Sequence, residues 1–154
     1  MLRPSMNLAE ILTESARRDP GHPALKLDET ELSYGELAQA SARVAGLLVS
    51  KSVCPGDRVG IMLPNVPQFA ACYYGVLQAG GVVVPMNVML KEREVAFYLG
   101  DSGAKLLFAW HGFRDEVHGG AESVGSECVL VTPGEFEQLL AVQSPAQGMV
   151  ELDE

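Results

Sequence analysis

The chain has 154 residues, 47% hydrophobic and 20% charged, which excludes a disordered polymer and suits one domain able to bury about two thirds of its unfolded surface. A formal net charge of −9, with no basic run beyond the pair Arg17-Arg18, argues against nucleic acid as a partner. Cys54, Cys72 and Cys128 are odd in number and widely spaced, which fits a reducing compartment and buried or idle thiols better than a disulfide framework.

The first twenty residues lack the continuous apolar core of a secretion signal, so the cytoplasm is the expected location. Residues 1–6 read as an N-terminal extension. Three helix starts place a capping side chain three residues before a glutamate: Asn7 with Glu10, Ser33 with Glu36, and Thr132 with Glu135. In such a box the cap accepts from a free N–H while the glutamate reaches back or favours the positive helix end. The first box predicts a helix over residues 8–18 with Leu8, Ile11, Leu12 and Ser15 on one face. "ALKL" and "ELSY" around "DET" predict a short hairpin. A helix over 34–50 follows, with Leu37, Ser41, Val44 and Leu48 on a single buried stripe.

"CPGDRVGIML" predicts a turn and a strand. Residues 59–90 carry no charged side chain, enough to span a bilayer. Pro64, Asn65, Pro67, Gln68, Gln78, Pro85 and Asn87 interrupt them, so strand, helix and strand are expected and no transmembrane segment. The helix presents Val66, Phe69, Ala70, Tyr73, Val76 and Leu77 on one side and Ala71, Cys72, Gly75 and Ala79 on the other, a small face suited to close packing. "GVLQAGG" has the glycine spacing of a phosphate-binding loop. Yet Gly81-Val82 stands where Lys-Ser or Lys-Thr is required, and the helix precedes the glycines instead of following them. Gly80 and Gly81 are therefore expected to end the helix in a left-handed turn.

"VVVP" reads as a strand, and "LKEREVAFYLGDSG" as a helix with Val95, Tyr98 and Leu99 inward. Strand "KLLFAW" follows, then an irregular polar segment over 111–127, strand "CVLV", and a helix in "TPGEFEQLLA" with proline at its first position. "SPAQGMVELDE" has no period, and 143–154 reads as an acidic linker. Strands alternating with helices imply an α/β domain over 7–142: a mostly parallel sheet flanked by helices, with a short N-terminal hairpin.

Chemistry is scarce. A G-x-S-x-G elbow and a G-x-G-x-x-G loop are both missing, and Ser33 is accounted for as a cap. His111 and His118 could share a helical face but have no carboxylate or cysteine at ligand spacing. Asp28-Glu29-Glu31 and Glu151-Asp153-Glu154 fall in a turn and a tail, where carboxylates are solvated; Asp101-Ser102-Gly103 reads as a helix C-terminal turn. No catalytic, cofactor-binding or metal-binding residue is assigned. A flavodoxin-like nucleotide binder would need an anion-receiving loop after a strand, and the sequence presents none.

The order of these pieces, "LSYGELAQASARVAGLL" and then "GDRVGIMLPNVPQFAACYYGVLQAGGVVVPMNVMLKEREVAFYLGDSGAKLLF", resembles the opening region of the acyl-adenylate-forming, AMP-binding superfamily. That superfamily includes acyl-CoA synthetases, luciferases and peptide-synthetase adenylation domains. Leu32-Ser33-Tyr34 with Glu36-Leu37 is similar to the family's first core motif, and Gln78-Ala79-Gly80-Gly81 through Val84-Pro85 with Asn87 to its second. "VPMN" looks more like a fatty or aryl acid:CoA ligase, because peptide-synthetase domains more often carry aspartate at the Asn87 position.

The resemblance implies the N-terminal subdomain of the acyl-CoA synthetase-like fold. Such an enzyme activates a carboxylic acid, here a medium- or long-chain fatty acid, with Mg-ATP to an acyl-adenylate and passes the acyl group to coenzyme A. It further implies that the phosphate loop, acid pocket, ribose-binding aspartate, hinge and catalytic lysine lie beyond Glu154, with "MVELDE" similar to the acidic lead-in to that loop. ATP, Mg and CoA would then serve the full-length enzyme and none would bind this segment, which would be inactive alone. Its partner would be the rest of the same polypeptide, and apolar surface left uncovered here would favour a homodimer. A free-standing, non-catalytic adenylation-like binding or assembly module is the alternative from a different class.

Overall fold

In the computed structural model, which describes residues 7–150, four short apolar runs form the centre: β3 (Arg58–Met62), β4 (Val82–Pro85), β5 (Leu106–Trp110) and β6 (Glu127–Val131). They pair in parallel in the order β4-β3-β5-β6. The expected extension over 1–6 and the carboxylates Glu151, Asp153 and Glu154 lie outside the described residues. Strand side chains alternate between faces, and both faces are buried, which is why these runs are apolar apart from Arg58 and Glu127 at their starts. Val59, Ile61, Leu106, Phe108, Val129 and Val131 enter one core. Met62, Leu107 and Ala109 enter the other.

Helices α1 (Ala9–Arg18), α2 (Tyr34–Ser50), α3 (Pro67–Gln78) and α6 (Glu135–Ala141) cover the first face, and α4 (Glu92–Ser102) and α5 (Arg114–Val124) the second. The hairpin of β1 (Pro23–Leu27) and β2 (Thr30–Ser33) is antiparallel. Its two-residue tip sets Asp28 at φ 51°, a left-handed conformation that aspartate tolerates better than most residues. Asp28, Glu29 and Glu31 are exposed there, as expected of solvated carboxylates.

The capping boxes fare differently. At Ser33 the box forms: Glu36 N donates to Ser33 Oγ at 3.2 Å, and Ser33 N donates to Glu36 Oε2 at 2.8 Å, which holds the Glu36 carboxyl below the usual range. At Asn7 the expected box does not form: Leu8 occupies the cap position of α1 with no side-chain cap, Asn7 accepts from Ala9 N at 3.0 Å instead, and its amide turns away from the helix. Near Thr132 the helix starts later, at Glu135; Thr132 gives its backbone carbonyl to Phe136 N, and Glu137 rather than Glu135 reaches back, to Gly134 N. Pro133 therefore lies in the preceding turn.

The stripe Leu37, Ser41, Val44 and Leu48 is buried as expected. Two apolar faces are corrected. On α1, Ala9 and Leu12 point inward while Leu8 and Ile11 are half exposed. On α4, Val95 and Leu99 are buried but Tyr98 is 47% exposed, because the inward stripe continues through Val95 and Leu99 alone. The segment over 111–127 is ordered: a 3₁₀ turn at His111–Phe113 leads into α5, whose small residues Gly120 and Ala121 let it lie against α4.

Helices α2 and α3 approach closely at a glycine. A Cβ at Gly75 would stand 2.5 Å from Val44 Cβ and 2.9 Å from the Ser41 carbonyl, so only glycine allows the approach. Gly75→Ala gains about 1 kcal/mol of helix propensity but must push α2 away, an overpacking that costs about 1–3 kcal/mol. The net expectation is a Tm lower by about 2–4 °C. Gly100→Ala on α4 meets only Val124 Cγ1, at 3.5 Å, so it should raise Tm; thermal unfolding of the pair checks the assignment.

Candidate functional site

The strand order makes the chain reverse direction between β3 and β5: β4 lies to one side of β3, and the next strand crosses back to the other. The connection through α3 runs over one face, and those through α4 and α5 over the opposite face. In open parallel sheets the carboxyl ends at such a reversal form the usual ligand crevice. Here the crevice is bounded by Pro64, Asn65 and Val66 after β3 and by His111 and Gly112 after β5, with the Trp110 and His111 rings 4.8 Å apart. Its backbone donors are partly committed: Val66 N donates to Pro64 O and Phe69 N to Val66 O. Among the described residues no group of three or more His, Cys, Asp or Glu side chains could hold a metal ion. His111 sits in the 3₁₀ turn and His118 in α5, so the two do not share a helix face.

The "GVLQAGG" passage is the other place where phosphate could be expected. Gly80 adopts φ 77°, ending α3 in the left-handed turn the sequence predicts. Its N–H donates to Leu77 O, the Gly81 N–H to Val76 O and the Val82 N–H to Asp57 O. A phosphate cradle works by converging free N–H groups on the anion. Those of this passage are all consumed, and it faces the negative end of α3. The residues present do not fit a nucleotide phosphate.

Chain 142–150 lies over this passage instead. Ala146 N donates to Ala42 O at 2.9 Å and Val150 N to Gln78 O at 3.2 Å, while Gln78 Nε2 donates to Gly148 O at 3.3 Å. Arg43 Nη1 donates to Leu140 O at 3.2 Å and Ala141 O at 2.7 Å, a cation on the carbonyl end of α6. The seat is made of missing side chains: a Cβ at Gly46 would collide with Ser144 O, and one at Gly80 would stand 2.9 Å from Val150 Cγ1. Beside it a groove of about 400 Å³ runs between α1, α2 and α3, with Leu12, Tyr74, Gln78 and Pro145 in its walls. The linker expected from residue 143 is thus a docked strap, at least to Val150.

Two of the three thiols are sheltered from reaction. Burial pushes Cys128 up to about 11 and Cys72, wholly enclosed, further still, so both stay protonated near neutrality. Asp57 is held below the usual carboxylate range by Cys54 N and then by Lys105 Nζ, at 2.7 Å and 3.1 Å, but this cluster pins the turn before β3.

The AMP-binding enzyme family model matches residues 12–150. A long-chain-fatty-acid–CoA ligase of Bacillus subtilis (strain 168) is 36% identical over 104 residues, which cover 68% of this chain and 19% of that protein. Bacitracin synthase 3 of Bacillus licheniformis is 35% identical over 98 residues, which cover 64% of this chain and 2% of that protein. The crystal structure of a benzoate CoA ligase from Burkholderia xenovorans LB400 superimposes with a TM-score of 0.89 at 25% identity, covering 97% of this chain and 31% of that one. The chain therefore spans about a fifth of the fatty-acid ligase it matches.

Two glycines separate turn strain from strap contact. Gly56 and Gly80 both have positive φ, but a Cβ at Gly56 meets nothing within 4 Å. Gly56→Ala should lose about 1–2 kcal/mol from the left-handed backbone alone. Gly80→Ala should lose more, with exchange of the Val150 N–H accelerating. Denaturant melts and amide exchange on both variants check this; equal losses would show that the strap contact contributes nothing.

Proposed function

The chain belongs to the AMP-binding enzyme family, and from that premise we propose that it is the N-terminal, supporting part of a cytoplasmic acyl-CoA synthetase acting on a medium- or long-chain fatty acid. The observation that carries the reading is its 36% identity to a long-chain-fatty-acid–CoA ligase. "VPMN" with Asn87 supports the same class. A carboxylate is a poor electrophile; ATP and Mg, in the full-length enzyme, would supply the adenylate that makes it a good one, and CoA would receive the acyl group.

The part played by these residues is mechanical. The sheet, closed on both faces, gives a rigid platform, and the Gly80 passage accepts the returning strap at residues 144–150. Transition-state charge in such chemistry needs donors aimed at the transferring group, and the backbone donors around Gly80 and Gly81 are paired internally. On this reading the segment of 154 residues is inactive by itself, and the chemistry belongs to polypeptide that would pack against it.

Acid-dependent exchange of labelled pyrophosphate into ATP tests the reading. Negligible exchange is expected from the 154-residue chain and clear exchange, with fatty acids as the acid, from the full-length polypeptide its gene encodes. Exchange by the short chain would overturn the division of roles. Phe97, Tyr98 and Met89 are 64%, 47% and 73% exposed, so the short chain should also self-associate. Light scattering over a concentration series would show a rising apparent mass, and a strict monomer would contradict it.

A further inference from the structure

Asn7 is 4% exposed, and its side chain touches three separate parts of the chain. Oδ1 accepts from Ala9 N at 3.0 Å, while Nδ2 donates to Leu77 O at 2.8 Å and to Val150 O at 3.3 Å. The last two partners are 70 and 143 residues away in sequence. A buried amide is costly unless its donors are used, and here they are used on two carbonyls at chain ends of the local structure: the last turn of α3 and the end of the strap. A helix cap needs only the acceptor. The donor half of Asn7 has a different use.

We propose that Asn7 is a positioning residue, a clip that fixes the position and direction of the strap at Val150. Three features converge on this point. Val150 N returns a hydrogen bond to Gln78 O, so Val150 is held through both its N–H and its carbonyl. Val150 Cγ1 rests against Gly80, where a Cβ would come within 2.9 Å. Gln78 Nε2 holds Gly148 two residues earlier. Asn7 alone among these ties the strap to α1 and α3 at once. The glycine that looks like half of a phosphate loop is, on this assignment, the seat of a strap that Asn7 locks. The consequence for catalysis rests on the proposed synthetase function: residues that follow Val150 would start from a fixed anchor, so loosening the clip would weaken ATP binding before it affected CoA binding.

Asn7→Ser separates the two halves of the side chain. Serine can still accept from Ala9 N in the local turn but cannot reach Leu77 O or Val150 O. Hydrogen exchange on the 154-residue chain should show the Val150 N–H opening about tenfold more often, with Ala146 N–H and the α1 amides unchanged. Asn7→Ala should loosen Val150 and α1 together. Gln78→Ala, which deletes only the bond to Gly148, should leave Val150 protected by Asn7; this variant removes a surface amide and serves even if Asn7→Ser does not fold. A Val150 amide unmoved in Asn7→Ser, or freed as fully by Gln78→Ala, overturns the clip. In the full-length polypeptide Asn7→Ser should raise the KM for ATP roughly fivefold with the KM for CoA unchanged. Equal KM values in a chain whose Val150 has loosened overturn the catalytic consequence. A wild-type polypeptide with no pyrophosphate exchange overturns the synthetase reading, and the exchange of Val150 still decides the clip.

Discussion

A parallel sheet buried on both faces sets the terms for everything else in this molecule. Crossover helices must cover each face, because consecutive parallel strands cannot be joined by tight turns. The central strand β3 feels this most: Gly60 in its middle leaves room for Leu107, Leu99 and Met86, and a Cβ there would stand 2.9 Å from Leu107 Cδ1. With side chains such as Val59, Ile61, Leu107 and Phe108 fully enclosed, each worth about 1.5–3 kcal/mol of burial, the sheet leaves little polar surface of its own. Function has to be placed at the strand ends and loops.

At the amino ends of β3 and β4 the backbone is spoken for. Gly81 N–H returns to α3, Val82 N–H bridges to Asp57, and Gly56 N–H meets Gly80 O, so the turn before β3 and the turn after α3 brace each other. Lys105 joins the same brace through Asp57 Oδ2 and Ser52 O. A rigid, internally satisfied corner supports a neighbour well and handles an anion poorly. This is why a glycine pattern close to that of a phosphate loop does structural duty here.

Much of the architecture was legible in the sequence because its signals are local and periodic. The apolar runs of β3 to β6 fixed the parallel sheet, and the Ser33-x-x-Glu36 box fixed the start of α2. The small face of α3 announced close packing before its neighbour was known. Other features were illegible for physical reasons. Leu8, Ile11 and Tyr98 are apolar or aromatic on helices with one buried stripe, and periodicity cannot tell which of two adjacent apolar positions the core has room for. The helix α5 was missed because Gly119, Gly120 and four charged residues dilute its pattern; its inward face is Val117, Gly120 and Ala121, legible only once α4 is placed against it. Asn87 matched a family motif, and in the structure it closes its own turn by accepting from Met89 N at 2.8 Å, a role in which aspartate serves as well.

The hardest features to read were polar side chains acting over long sequence distances. Arg43 crowns α6 from nearly a hundred residues away, and Asn7 reaches the far end of the described chain. Both look ordinary in one dimension, a helix-surface arginine and a cap, since nothing local marks their second partner. Yet these contacts convert a stretch without periodicity, residues 142–150, into an ordered strap. Apolar periodicity builds the platform, and a few polar side chains hold the strap to it.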